Sequence, residues 1–151
     1  MATSNLAQHL ADTLFAMEKH RVGENMISFV SLGQSENIEL MAPDESEKFS
    51  LDLSRGRLSL SQVKLQNRAR NSVVLARLEL NGPRHRKPDG NFIASPHLHL
   101  YQEGYGDRWA FPVPRQSFSD LSNELTTFRE FMSFCNITKP PNIKLQGGLS
   151  L

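Results

Sequence analysis

Alternation of apolar and polar residues dominates the middle of the chain. The period of two recurs in residues 49–53, 58–65 and 73–80. Because side chains along a strand point alternately to two faces, this pattern predicts strands that each bury one face. The parity changes between Leu60 and Val63, which predicts a bulge between them.

Helical spacing marks both ends of the chain. Apolar residues recur about every three or four positions in residues 4–20 and again in residues 117–135. The first pattern predicts an N-terminal helix that runs to about His20. The second predicts a C-terminal helix that Ser117 or Ser119 caps.

Residues 1–139 are predicted to form a single α+β domain. A chain of 151 residues is long enough to bury a core without disulfides or metal ions. We expect a mostly antiparallel sheet of about five to six strands, with N-terminal and C-terminal helices. Residues 140–151 begin with two prolines and contain two adjacent glycines, and they are predicted to be a mobile tail.

The sequence predicts neither export nor a membrane span. No apolar run approaches the roughly 20 residues that a transmembrane helix needs. Residues 1–5 lack the basic and apolar stretches of a secretory signal. Cys135 is the only cysteine, so no internal disulfide can form, and its apolar neighbours predict that it is buried. We therefore predict a cytoplasmic protein without a membrane partner.

Charge is segregated along the chain, although the net charge is only +1. Residues 55–88 contain nine lysines and arginines and a single acid, Glu79, whereas residues 1–54 contain nine acids and three bases. A basic block of this kind is typical of a surface that binds phosphate or an acidic partner. Lysine and arginine also protect strand edges from aggregation, and that explanation accounts for the same residues equally well.

Residues 95–112 concentrate the side chains that carry chemistry. Alternation places the two leucines of this segment in the core and projects His97, His99 and Tyr101 together from the opposite face. The glycines that follow predict a chain reversal, after which a short return strand ends at Pro112. This concentration predicts a functional site.

Two further segments flank the predicted site. An ion pair between Asp107 and Arg108, next to Trp109, is predicted to lock the turn structurally. Residues 81–91 are marked by glycine and proline and are too long for a minimal hairpin turn. Their basic composition is typical of a functional loop.

The two histidines have the chemistry for cleaving RNA without a metal ion. Attack by the ribose 2′-hydroxyl needs a base, an acid and cations that stabilise the phosphorane charge. Because imidazole titrates in the right pH range, His97 and His99 are the predicted catalytic pair. The predicted nucleic-acid-binding residues are Lys64, Arg68, Arg70, Arg77, Arg84, Arg86, Tyr101 and Tyr105. Tyr101 or Tyr105 is expected to stack on a base. The alternative is that the histidines only cover a sheet face and that Tyr101 and Trp109 pack under the C-terminal helix.

A divalent metal site is a weaker prediction from the same histidines. His97 and His99 lie about 7 Å apart on one strand face, which is near enough to share an ion if a third ligand is present. The candidates for that ligand are Glu79, His85, Asp89 and Asp107. Because no second metal-spaced pair accompanies the histidines, we predict no cofactor.

The central motif resembles a family of small bacterial proteins that carry a domain of unknown function. Residues 96–101 read Pro-His-Leu-His-Leu-Tyr, and residues 103–110 read Glu-Gly-Tyr-Gly-Asp-Arg-Trp-Ala. The resemblance covers most of the chain from about Asn37 to Cys135 and implies a shared fold. More distantly, the order of strand, histidine-bearing loop, His-x-His, aromatic strand and apolar helix is similar to TumE-like toxins of toxin–antitoxin pairs. That similarity implies that His97 and His99 correspond to the two histidines of those toxins.

We therefore expect a toxin-type or mobile-element protein that binds RNA and is equipped to cleave it. Its expected partners are RNA or another nucleic acid, and an antitoxin or other protein. The alternative is a non-catalytic accessory protein of a phage or defence system, which uses its basic strands to bind nucleic acid or an acidic protein. Binding needs the cations alone, whereas cleavage also needs the two histidines.

Overall fold

The computed structural model describes residues 5–23, 26–28, 34–57, 59 and 61–144. Within these residues the chain forms two α-helices, α1 (Gln8–Ala16) and α2 (Glu124–Phe134). The strands are β1 (Lys19–Arg21), β2 (Met26–Ser28), β3 (Ser35–Met41), β4 (Lys48–Arg55), β5 (Val63–Ala69), β6 (Val73–Leu80), β7 (His85–Arg86), β8 (Phe92–Ile93), β9 (His97–Leu100), β10 (Ala110–Phe111), β11 (Ile137–Lys139) and β12 (Asn142–Lys144).

Eight of these strands form one sheet in the order β10-β9-β6-β5-β4-β3-β1-β11. All neighbours in it pair antiparallel except β1 and β11, which are parallel. The α+β class is confirmed, but the expected five to six strands are too few. The strands of this sheet that were not predicted, β1 and β11, are each three residues long. Segments of that length are too short to display a period of two.

The helices and one face of the sheet enclose a single apolar cluster. Leu14 of α1 and Phe128 and Phe131 of α2 share this cluster with Leu51 and Leu65 of the central strands. Each of these side chains is at most 1% exposed. Burying a side chain of this size contributes about 1.5–3 kcal/mol, so the packing of the helices on the sheet stabilises the fold strongly. The opposite face of the sheet carries the polar residues.

The N-terminal helix is shorter than its apolar spacing predicts. It ends at Ala16, and His20 lies in β1, where it pairs with Met41. Lys19 explains the early end, because its ammonium group donates to the carbonyls of Phe15 at 2.8 Å and Met17 at 3.0 Å. These bonds satisfy carbonyls that the end of the helix leaves without partners.

The C-terminal helix begins later than predicted, at Glu124. Its cap is Asn123, whose side-chain oxygen accepts a 2.9 Å hydrogen bond from the backbone N–H of Thr126. The predicted cap Ser119 donates from its backbone N–H and its hydroxyl to Glu130 instead. Ser119 is therefore bonded to the side chain of Glu130 within the helix and does not cap the N-terminus of the helix.

The central strands contain a register shift that was not predicted. The register of β5 and β6 shifts between Asn67 and Arg68, which pair with Ala76 and Val74, so that Leu75 is the extra residue. Leu75 is 3% exposed and lies in the core, whereas Val74 is only partly buried. The predicted bulge precedes Val63, the first residue of β5, and residues 58 and 60 lie outside the described residues.

The end of the described chain forms a small second sheet. Asn142–Lys144, within the segment that we predicted as a tail, pairs parallel with Met26–Ser28. Residues 145–151 lie outside the described residues. Neither of the two helices described here has the length and apolar character that crossing a membrane requires.

Candidate functional site

Two rows of polar side chains cross the outer face of the sheet. In the first row Asp52, Gln66, Arg77 and His99 lie directly opposite one another on β4, β5, β6 and β9. Residues directly opposite in an antiparallel pair point to the same face. The sequence gives the parity of each strand, and strand order brings these residues into one row.

The second row brings Glu79 opposite His97, with Lys64 on the other side of Glu79. The Oε2 of Glu79 lies 3.1 Å from the Nε2 of His99, and its Oε1 lies 3.8 Å from the Nε2 of His97. One ligand atom from each of these three residues lies within 4.8 Å of the others. We call Glu79, His97 and His99 the Glu-His-His cluster.

Both imidazoles of the Glu-His-His cluster are completely buried. His97 and His99 are 0% exposed, and their ring centroids are 4.9 Å apart. The sequence predicted that these rings project from the sheet face opposite the core, and they do, but other residues cover that face here. The hairpin formed by β7 and β8 covers them, with the His85 ring centroid 4.6 Å from that of His99 and 5.9 Å from that of His97.

Backbone carbonyls fix the orientation of both rings. The Nδ1 of His97 lies 3.2 Å from the carbonyl of Ala94, and the Nδ1 of His99 lies 2.8 Å from the carbonyl of Asp107. A carbonyl oxygen only accepts, so each Nδ1 carries the hydrogen and donates it. Each neutral ring therefore directs the lone pair of its Nε2 toward the carboxylate of Glu79.

Arg77 neutralises part of the negative charge at the site. Its Nε donates to Glu79 at 2.9 Å, and its Nη1 forms an ion pair with Asp107 and a 3.3 Å hydrogen bond with Gln66. The Nη2 lies 3.4 Å from the Nδ1 of His99, which is longer than a well-formed hydrogen bond. Two carboxylates thus share one guanidinium, and neutral histidines leave one negative charge in excess.

The surroundings shift the pKa of two members of the Glu-His-His cluster. Burial raises the pKa of Glu79, but a hydrogen bond that His99 donates when its Nε2 also carries a proton, together with the hydrogen bond from Arg77, outweighs burial and lowers the pKa to about 2. Burial lowers the pKa of His97, although its bond to Ala94 opposes that shift. Glu79 is therefore ionised at neutral pH, and burial favours the neutral form of His97.

Two other arginines predicted to bind nucleic acid, Arg68 and Arg70, are held by carboxylates. Arg68 donates to Asp52 at 2.6 Å and 3.0 Å, and Gln66 donates to the same carboxylate at 2.9 Å. Arg70 binds Glu47 through two bonds of 3.1 Å and 2.8 Å. With Arg77 also paired, three of the predicted contact residues are engaged within the protein.

The remaining predicted contact residues fall into two groups. Tyr101 is 4% exposed and donates its hydroxyl hydrogen to the carbonyl of Leu6 at 2.7 Å, so its ring is not accessible to a base. Lys64, Arg84, Arg86 and Tyr105 are exposed. Half of the predicted nucleic-acid-binding residues therefore lie at the surface.

The turn after β9 is held by different partners from those predicted. Asp107 pairs with Arg77 on a neighbouring strand, whereas Arg108 donates to the carbonyl of Tyr105 at 3.1 Å. The Tyr105 ring packs against Trp109 with centroids 5.9 Å apart. The expected ion pair between Asp107 and Arg108 is therefore wrong, because Arg77 reaches Asp107 across the sheet.

The structure singles out two residues, Glu79 in the Glu-His-His cluster and Phe92 in the hairpin that covers it. Glu79 is the third member of the cluster, whereas the other proposed ligands Asp89 and Asp107 accept bonds from Asn91 and Arg77. Phe92 is 49% exposed and was not predicted as a contact residue. Its signal in the sequence was an aromatic residue directly after the basic loop of residues 81–91.

Comparison with known proteins identifies the family alone. The family of unknown function DUF6978 matches residues 6–137, and the chain therefore belongs to that family. Neither a curated protein nor a solved structure matches the chain. Membership of a family of unknown function is thus confirmed, and the similarity to TumE-like toxins stays a prediction.

Proposed function

We propose that this member of a family of unknown function binds RNA through the hairpin that covers the Glu-His-His cluster and the turn beside it. The contact surface consists of Arg84, Arg86, Lys87, Phe92, Tyr105 and Arg108, which we call the cationic-aromatic surface. His85 joins its two parts, because its Nε2–H donates to the carbonyl of Arg108 at 2.7 Å.

The observation that carries this proposal is the pairing of exposed aromatic rings with guanidinium groups. The Cζ of Arg84 lies 3.9 Å from the ring centroid of Phe92, and the Cζ of Arg108 lies 5.6 Å from that of Tyr105. Phe92 and Tyr105 are 49% and 43% exposed. Exposed aromatic rings next to cations are the groups that single-stranded nucleic acids use for stacking and phosphate contact.

The charge of the surface supports the same proposal. Arg84, Arg86 and Lys87 form no ion pair with a carboxylate among the described residues, in contrast to the paired arginines of the sheet. Unpaired cations attract phosphate without first breaking an internal bond. The basic block that the sequence shows thus contributes to binding mainly through its hairpin.

Burial of the histidines favours binding over cleavage. A general base must come within about 2.6–3.2 Å of the proton that it removes. His97 and His99 are 0% exposed, and their Nε2 atoms face Glu79, so a ribose would reach them only after the hairpin had moved away. We therefore assign RNA binding as the function and give the histidines no acid–base step.

Salt-dependent binding of a fluorescent single-stranded RNA tests the proposal. We expect binding to weaken as the salt concentration rises, because phosphate contacts release counterions. The double variant R84A/R86A should reduce the slope of log K against log salt by about 1.4, since each phosphate contact on a single strand contributes about 0.7.

The matched control is R115A/R129A, which removes two exposed arginines elsewhere and lowers the net charge equally. Equal slopes in the two double variants, or no RNA binding by the wild type, would contradict the proposal. Binding of an acidic peptide instead would favour a protein partner. The bound RNA should be recovered intact on a denaturing gel.

A further inference from the structure

We propose that Glu79, His97 and His99 bind one divalent transition-metal ion, with Zn²⁺ as the representative ion. Two imidazole nitrogens and one carboxylate oxygen converge within 4.8 Å of one another. This donor set is that of zinc sites in which three protein ligands leave a further position open. The inference is independent of RNA binding, because it concerns buried groups beneath the cationic-aromatic surface.

The first argument is the direction of the lone pairs. Each Nδ1–H donates to a backbone carbonyl, so the Nε2 of each neutral ring has no hydrogen and faces a carboxylate that also only accepts. Acceptors that face one another in a buried site repel unless a cation lies between them. A metal ion on His97, His99 and Glu79 turns this repulsion into three bonds.

The second argument is that a proton satisfies only part of the site. Protonation of His99 would let its Nε2 donate to Glu79 over the observed 3.1 Å. The Nε2 of His97 would remain buried without a hydrogen-bond partner, because it lies 3.8 Å from the carboxylate. A buried polar atom without a partner costs about 1–3 kcal/mol, and one metal ion satisfies both nitrogens.

The third argument is the outer shell of the site. Histidines that ligate metals almost always donate their second ring nitrogen to a carbonyl or carboxylate, which fixes the tautomer and the ring orientation. Ala94 and Asp107 provide such carbonyls here. Arg77 holds the carboxylate of Glu79 in place at 2.9 Å. The three ligands are therefore positioned before an ion arrives.

The charge and chemistry of the site indicate the class of ion. Arg77 faces both Glu79 and Asp107, so with neutral histidines the site has one excess negative charge, which a divalent cation compensates. Imidazole ligands suit Zn²⁺, Co²⁺, Ni²⁺ and related ions, whereas Mg²⁺ and Ca²⁺ prefer oxygen ligands. We therefore expect selectivity for transition metals over Mg²⁺ and Ca²⁺.

The test measures binding of Zn²⁺ alone to the purified full chain after treatment with a chelator. We expect one Zn²⁺ per chain by elemental analysis and by titration calorimetry, and no binding of Mg²⁺ at the same concentration. H97Q and H99Q should each weaken Zn²⁺ binding by at least about 100-fold, since removal of a ligand exceeds the roughly 10–100-fold loss caused by outer-shell changes.

His20 provides a matched control, because its Nε2 also lies close to a carboxylate, 2.6 Å from Glu18, but at the surface. H20Q should bind Zn²⁺ like the wild type. X-ray absorption of the Zn²⁺-loaded wild type should show two imidazole ligands, and this measurement does not depend on whether the variants fold. Absence of Zn²⁺ binding, a shell without two imidazoles, or equal affinity of H97Q and wild type would overturn the proposal.

Discussion

The carboxylate of Glu79 faces the ring of His97 across the pair β6–β9, with Oε1 and Nε2 3.8 Å apart. This distance is too long for a hydrogen bond, yet the Nε2 of His97 is buried and the Glu79 side chain is only 12% exposed. The two residues are eighteen positions apart in the sequence, and only the pairing of their strands brings them together. The stability of this region should therefore respond to pH and to metal ions.

Glu79→Gln is expected to reduce the loss of stability in acid. The pKa of Glu79 is lowered from 4.5 to about 2, so between these values the unfolded chain binds more protons than the folded chain. The contribution of Glu79 is complete above about pH 4.5 and is lost as the pH falls toward about 2, by up to about 3 kcal/mol.

Urea unfolding between pH 2 and pH 5 in the presence of a chelator measures this effect. The variant should show a shallower decline than the wild type. Glu39→Gln, at an exposed carboxyl on β3, is the control and should decline like the wild type. Parallel curves for Glu79→Gln and the wild type would show that this carboxylate is not specifically stabilised.

Lys19→Met is expected to destabilise the fold by about 2–5 kcal/mol. Lys19 is 0% exposed, and its ammonium group donates to the carbonyls of Phe15, Met17 and Cys135. Burial lowers its pKa to about 8, so the group is still charged at pH 7. Methionine fills a similar volume but leaves the carbonyls without this donor.

Thermal and urea unfolding at pH 7 test this prediction, with Lys139→Met at an exposed position as the control. The folded pKa of Lys19 is lower than its unfolded pKa of 10.5. The free-energy cost of burying its charged form should therefore decrease as the pH rises from about 8 to 10.5. A Lys19→Met variant as stable as the control would contradict the capping role.

Tyr101→Phe and Phe92→Ala are expected to have opposite consequences. Tyr101→Phe removes the 2.7 Å bond to Leu6 and should lower the free energy of unfolding by about 1 kcal/mol without changing RNA affinity. Phe92→Ala should weaken RNA binding by about 1–3 kcal/mol and change stability little, because the ring is exposed. Fluorescence anisotropy and urea unfolding of both variants separate these effects. Weaker RNA binding by Tyr101→Phe than by Phe92→Ala would count against the proposed surface.

Asn123→Ala is expected to lower the free energy of unfolding by about 1 kcal/mol. The Asn123 side chain accepts the bond from Thr126 that caps α2, and alanine cannot replace this acceptor. Ser117→Ala, at one of the two predicted caps, should have a smaller effect. Chemical denaturation of both variants measures the difference, and the reverse order would show that the helix begins earlier than at Glu124.

Local patterns in the sequence predicted the long central strands and the presence of both helices. The alternation around Leu51 and the apolar spacing around Phe128 arise from burial of one face, which depends on neighbouring residues alone. Helix ends were predicted less well. Lys19, which ends α1, also donates to the carbonyl of Cys135, which lies far away in the sequence. No local pattern in the sequence reveals such a contact.

The sequence alone determined the α+β class and the parity of β4, and it singled out His97 and His99 as candidate site residues. Strand order decided which cations remain free, because it paired Arg68 with Asp52 and Arg77 with Asp107. A charge count cannot distinguish a free guanidinium from one that a carboxylate across the sheet neutralises. Only the tertiary structure, by pairing β6 with β9 beneath the hairpin of β7 and β8, buried the two histidines and placed them next to a carboxylate.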